Sequence, residues 1–188
     1  YDEENARIAR LSAFDKAKTY YYNKGKNRDN RANKIGKDWY ATPEPLGMKM
    51  VEWSGAHNGD DVLEPSAGDG AIGRWFPNDT NTTMIEPSSE LASRAQLSSP
   101  NANVVMGSFE SHNTMIKYDA IVMNPPFGHA GSLALEHLKK ACAHLREGGR
   151  VVALVPNSPN LDKGLEKWQA QEGQEFYTVA SINLPAST

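Results

Sequence analysis

Cysteine is nearly absent: Cys142 is the single one in 188 residues. No disulfide within the chain is possible, which fits a reducing cytoplasm. Long apolar runs are missing as well. No stretch approaches the roughly 18 residues of a membrane-spanning helix and no signal-peptide pattern opens the chain, so no membrane partner is expected. The five histidines do not combine with cysteine or acids at metal-ligand spacings, and no metal is expected. His137 and His144, seven apart in one helical stretch, read as helix-surface residues. No internal repeat is visible. What remains is an ordinary soluble composition, 39% hydrophobic and 23% charged, at a length that supports one domain with a proper core.

Net charge is small but unevenly placed. The formal value is -3, yet from Lys16 to Lys37 eight Lys/Arg stand against one acid, Asp29. That segment carries +7, leaving -10 for the rest. Two readings fit it. One is a basic arm for a phosphate backbone, favoured by Tyr20, Tyr21 and Tyr22 just before the charges. The other is a solvated leader with almost no apolar residues. Residues 3 to 20 read as a helix, with Ile8, Leu11 and Phe14 at helical spacing. Residues 1–37 are thus an N-terminal helix and basic linker, and 38–188 form one folded domain. A first residue of Tyr1 rather than methionine reads as a fragment or a trimmed chain.

Strands and helices alternate through the domain. Thr42 is the expected N-cap of a helix with Pro43 at its first position, Met48, Val51 and Met50 as candidates to face inward, and Gly55 ending it. Strands are expected at 60–65, 81–87, 101–107, 118–124, 148–156 and 177–185. Helices are expected to begin at "GAIGRWF", and to cover Ser88 to Leu97, Ser132 to Leu145, and 162–172. In the Ser132 helix, Leu135, Leu138, Ala141, Cys142 and Leu145 form an apolar stripe. Near-continuous apolar strands separated by helices predict an α/β fold, a mainly parallel doubly wound sheet with helices on both faces.

"LEPSAGDGAIGRW" puts Gly68, Asp69 and Gly70 just past the first strand, where open α/β sheets take ligands. The spacing fits a dinucleotide fingerprint, and Gly and Asp also favour an ordinary turn. Glu86 ends the second strand, where an acid can accept both hydroxyls of a ribose. NAD and S-adenosylmethionine would each satisfy this much. Asp69 favours the second, because a carboxylate is a poor neighbour for a pyrophosphate and a good one for a sulfonium.

The fourth strand ends in Asn124-Pro125-Pro126-Phe127. With Trp39-Tyr40-Ala41-Thr42-Pro43, Glu64-Pro65-Ser66-Ala67-Gly68-Asp69-Gly70 and Glu86 it forms an ordered set. The set resembles the class I S-adenosylmethionine-dependent amino methyltransferases, above all those making N6-methyladenine in DNA. The match covers about residues 38–188, in the gamma-type motif order, and implies a Rossmann-like catalytic domain. It implies cofactor contacts from Tyr40, near the methionine end, and from Thr42. The turn residues Glu64, Pro65, Ala67, Gly68, Asp69 and Gly70 would contribute as well, with Glu86 on the ribose. Ser108 and Phe109 would lie by the adenine, and Asn124 would touch both cofactor and acceptor.

The tip suits that chemistry. An exocyclic ring amine is a weak nucleophile because its lone pair is delocalised. The Asn124 side-chain oxygen and the Pro125 carbonyl can accept its two hydrogens and leave the lone pair aimed at the methyl group. Pro125 and Pro126 stiffen these acceptors, and Phe127 can stack on the target ring. A base in a duplex must be flipped out to reach them, so DNA is the expected partner, with RNA open. Rate would come from proximity and alignment.

Some features depart from the family pattern. Ser108 stands where the family often has an acid, and Phe109 is as well placed for the core as for the adenine. A final antiparallel strand is missing after the sixth, and no target-recognition region is visible. A truncated domain, part of a larger polypeptide or paired with a separate recognition region, is therefore expected. Modules in very large phage or plasmid proteins look similar. RNA adenine, a protein glutamine (disfavoured by Phe127 in place of tyrosine) and a catalytically inactive binding module are the alternatives.

Overall fold

Five strands form one sheet in the order β3-β2-β1-β4-β5, every pairing parallel. This is seen in a computed structural model that describes residues 41–171 and 175–184. The expected helix at 3–20, the basic arm and Tyr40 lie outside those residues. The strands are β1 Asp61–Glu64, β2 Asn81–Glu86, β3 Asn103–Met106, β4 Tyr118–Met123 and β5 Leu145–Ala153. The helices are α1 Glu44–Ser54, α2 Ser89–Ser98, α3 Ser132–Ala143 and α4 Pro159–Gln169. The chain runs outward from β1 to β3 and returns to β4 on the other side of β1. Strand order thus reverses between β1 and β4, and their C-terminal ends flank the switch point.

Strand alternation sorts the core into two faces. Val62, Ala120 and Val122 pack with Met50 and Val51 of α1 and with Ile72 and Phe76. Leu63, Ile121 and Met123 pack on the other side with Ile85, Phe109 and Ala141 of α3. Each Val, Leu, Ile, Phe or Met among them contributes about 1.5–3 kcal/mol when fully buried, so both faces must be covered for the sheet to persist. The fold is therefore the expected doubly wound, Rossmann-like one. Among the described residues no helix is long and apolar enough to cross a membrane.

Several local expectations are corrected. Pro43, not Thr42, is the N-cap of α1, and no side chain caps that end. Met50 and Val51 do face the core, but Met48 is only half-buried. Gly55 does end the helix in the left-handed conformation. "GAIGRWF" forms only a short 3-10 turn, Gly73–Trp75, because Pro77 holds the preceding Phe76 in the extended conformation, at ψ 146°. Helix α3 stops at Ala143 and Leu145 already opens β5. The residues α3 buries are Ala134, His137, Ala141 and Cys142, so His137, at 4% exposure, is a core residue and not a surface one. In β5, Leu145 pairs with Tyr118 but Arg150 with Ala120, so residues 146–149 stand opposite Asp119 alone. Gly148, at φ 76°, makes that bulge possible.

The sixth strand is not formed. Residues 175–184 carry no regular secondary structure. Tyr177, Val179 and Ile182 are exposed, while Phe176 stacks on Trp168 of α4 at 5.9 Å, and the described part of the segment joins no ladder.

Candidate functional site

Two loops leave the sheet side by side. β1 and β4 are neighbours with Leu63 opposite Ile121, so the 65–70 turn and the 124–127 tip emerge from adjacent strand ends. At the tip, Pro125 is buried, Asn124 and Pro126 are half-buried and Phe127 is exposed. Asn124 donates from its side-chain nitrogen to the Thr42 hydroxyl at 3.2 Å. Thr42, buried just before α1, thus serves the tip instead of the helix. The Phe127 carbonyl accepts from Ala134 of α3 at 3.4 Å, and Gly128 follows at φ 66°, a conformation that favours glycine. A Cβ on Gly128 would also come within 2.7 Å of Leu133.

The glycine turn is held by hydrogen bonds from every side. Ala67 donates to the Ile85 carbonyl at 2.9 Å and Gly70 to the Ala67 carbonyl at 2.8 Å. Gly68 donates to Glu86 Oε2 at 2.9 Å, and Ser88 donates to Glu86 Oε1 at 2.8 Å. Glu86 therefore ties the turn to the end of β2, with one further lone pair on each oxygen still able to accept. Burial raises its carboxyl above the ordinary range, against the pull of those two N–H donors. Gly68 and Gly70 have φ of 55° and 81°.

Glu64 sits differently from the other turn acids. It is 1% exposed and lies on the Val62 face of the sheet, beneath the turn, where it accepts the Gly73 N–H. Burial raises its carboxyl well above the usual range, and the Asp69 and Glu86 charges push the same way. Pro65, Ala67 and Asp69 are also buried around this turn. Glu64 thus supports the turn from below and offers no exposed edge to a ligand.

The loop after β3 leaves the sheet next to Glu86, whose backbone carbonyl accepts from Gly107 at 3.2 Å. The Ser108 hydroxyl accepts from the Ser111 backbone at 3.4 Å and bonds the Ser111 hydroxyl at 3.2 Å. Phe109 is wedged into the core, edge-on to His137 at 5.4 Å with the Lys140 ammonium 5.2 Å from its ring centre. His137 Nε2 lies 3.1 Å from Glu110, and that hydrogen bond is the main cause lowering the Glu110 carboxyl.

One residue at the site carries no motif signal. Arg74 donates from Nε to the Gly70 carbonyl at 2.9 Å and from a terminal nitrogen to Glu44 at 2.9 Å. Its only mark in the sequence is a cation four residues after the turn.

Comparisons agree with this architecture. A sequence search of curated proteins finds no match. Among solved structures, TrmN from Thermus thermophilus superimposes with a TM-score of 0.57 at 20% identity, over 65% of this chain and 41% of that one. A proposed RNA methyltransferase from Pyrococcus horikoshii gives 0.60 at 20% identity, over 72% and 74%. A precorrin 8w decarboxylase from Methanobacterium thermoautotrophicum gives 0.57 at 14% identity, over 69% and 74%. At such identities the likeness is one of fold, and this fold hosts more than one chemistry. A family model for the methyltransferase small domain matches residues 51–180, taking in the glycine turn, Glu86 and the tip. That span is well over half of the chain, and the protein therefore belongs to the methyltransferase small domain family, whose methyl donor is S-adenosylmethionine.

Proposed function

We propose that the chain methylates the exocyclic N6 amino group of adenine in DNA. The observation that carries this reading is the Asn124–Thr42 hydrogen bond. With its nitrogen turned to Thr42, the Asn124 amide presents its oxygen the other way, as an acceptor for an amine hydrogen.

The residues present fit S-adenosylmethionine. Glu86 has acceptor capacity for ribose hydroxyls, and Asp69 puts a carboxylate in the turn, where a cationic ligand is favoured and a pyrophosphate is not. Bound there, the cofactor supplies an already activated methyl group on a sulfonium. The chain's own residues then bind and aim. Glu86 holds the glycine turn to β2. Asn124 and the Pro125 carbonyl take the two amine hydrogens, and Phe127, at 37% exposure, offers a ring for stacking. Alignment of this kind is the main source of rate when no covalent step is needed. A target base in a duplex has to be flipped to reach the tip.

RNA adenine is the second reading, because the tip chemistry is the same and the basic Lys16–Lys37 segment suits either backbone. The test offers labelled S-adenosylmethionine with unmethylated plasmid DNA, total RNA and protein extract. Label recovered as N6-methyladenine in DNA supports the first reading, and label in RNA alone replaces it with the second. Asn124→Ala is expected to abolish transfer while still binding cofactor. Equal turnover in variant and parent would remove Asn124 from the chemistry.

A further inference from the structure

Arg74 lies outside the motifs that mark the site, yet its guanidinium is committed to the backbone of the glycine turn. Nε donates to the Gly70 carbonyl at 2.9 Å, and Nη2 reaches the Asp69 carbonyl at 3.5 Å. Nη1 donates to Glu44 Oε1 at 2.9 Å. The pair is largely out of water, with the Arg74 side chain 20% exposed and that of Glu44 7%. Desolvation cancels most of the attraction in such a pair, so it is weak as a source of stability. What it contributes is geometry, because the planar fork of arginine fixes several acceptors at once.

Glu44 opens α1, two residues after Thr42, and Thr42 is the partner of Asn124. Farther along the same helix, a Cβ on Gly47 would stand 2.7 Å from the Ala71 carbonyl oxygen, so α1 lies directly on the turn backbone. The segment 42–47 therefore grips the tip at one end and the turn at the other.

We propose that Glu44 and Arg74 are positioning residues, which hold the donor-side turn at a fixed offset from the acceptor-side tip. The inference rests on the function proposed above and deepens it. Neither side chain acts on the reacting atoms. Arg74 sets the Asp69–Gly70 carbonyls, Glu44 sets Arg74 relative to α1, and α1 carries Thr42, which orients Asn124. Cofactor binding at the turn should then be felt at the tip through these contacts.

The experiment measures hydrogen exchange in segments 66–73 and 123–128 with and without S-adenosylmethionine, for the parent, Glu44→Gln and Arg74→Lys. Both substitutions keep side-chain size close to the original, and Arg74→Lys keeps the charge without the fork. In the parent, cofactor is expected to slow exchange in both segments. In the variants, protection of the turn is expected to persist while protection of the tip is lost. In parallel, single-turnover transfer to plasmid DNA at saturating cofactor is expected to fall about 10-fold or more, with the cofactor Kd moving less than about 3-fold. Tip protection and transfer rates equal to the parent's would overturn the proposal. So would a rate loss that excess cofactor cures, since the pair would then serve binding alone. A parent that binds no S-adenosylmethionine defeats the proposed function and this inference together. A parent that binds it and protects the tip, but transfers nothing to DNA, defeats only the DNA reading.

Discussion

Asn124 donates its side-chain amide to the Thr42 hydroxyl at 3.2 Å, joining the end of β4 to the residue before α1's cap across 82 positions of sequence. The bond decides which way the amide oxygen faces. Thr42→Val keeps the branched shape and removes the acceptor, leaving the Asn124 nitrogen without that partner. An unmet hydrogen bond of this kind costs about 1–3 kcal/mol, and a turned amide offers the acceptor amine a donor in place of an oxygen. A fall of roughly 10-fold in kcat is expected, with cofactor Kd nearly unchanged. Steady-state kinetics beside a binding titration check this; an unaltered kcat would detach Thr42 from the tip's function.

What the sequence revealed, and what it hid, follows from the range of the interactions. The glycine turn and the proline tip were legible because backbone conformation at strand ends is local: positive φ at Gly68 and Gly70 needs glycine. Glu64 was not. Its place in the motif says that an acid ends β1, but the two-residue alternation of the strand sends the side chain to the Val62 face, under the turn. His137 was misread because the absence of metal-ligand spacing was taken to leave it on the helix surface, whereas Glu110 and Phe109 pack around it from another loop. Arg74 and Glu44, 30 residues apart, carry no shared pattern that would pair them. The expected strand at 177–185 shows the limit of local propensity, since apolar alternation makes a strand only when a sheet edge accepts it.

Glu64 should be visible in the pH dependence of stability. Burial holds its carboxyl well above the ordinary value of 4.5, opposed mainly by the Gly73 N–H. The folded pKa lies above the unfolded one, so the folded state prefers the protonated form. This contribution is fully present below the unfolded pKa and is lost as pH rises through the folded value. Glu64→Gln has no proton to lose. The Tm of the variant relative to the parent is therefore expected to rise as pH increases from the acid side. Thermal melts over about pH 4 to 9 would show it, and parallel curves would mean that Glu64 titrates normally.

Gly70 cannot be exchanged for alanine without two separate costs. Its φ of 81° is unfavourable for any residue with a Cβ, and that Cβ would stand 2.1 Å from Ser98 Oγ and 3.1 Å from Ala95 Cα. The backbone strain alone is about 1–3 kcal/mol. Gly70→Ala is expected to lose at least that much in urea unfolding. Adding Ser98→Ala removes the clashing oxygen but not the strain, so only part of the loss should return. Full recovery would show that the clash, and not the φ angle, dominates.

Cys142 gives a chemical reading of how well α3 is held. The thiol is buried in the α3 core face, and burial pushes its pKa up to about 11. Only about one molecule in a thousand would carry a thiolate at pH 8, and the thiolate is the reactive form. The folded protein is therefore expected to resist a disulfide-exchange reagent such as DTNB, while denatured protein releases one equivalent at once. Reaction in native buffer should proceed only through openings that expose α3, so its rate should rise with sub-denaturing urea in step with loss of stability. His137→Leu, which removes the Nε2 bond to Glu110 beside the same helix, is expected to speed that reaction. A native-state rate as fast as the denatured one would mean that α3 does not shield Cys142 at all.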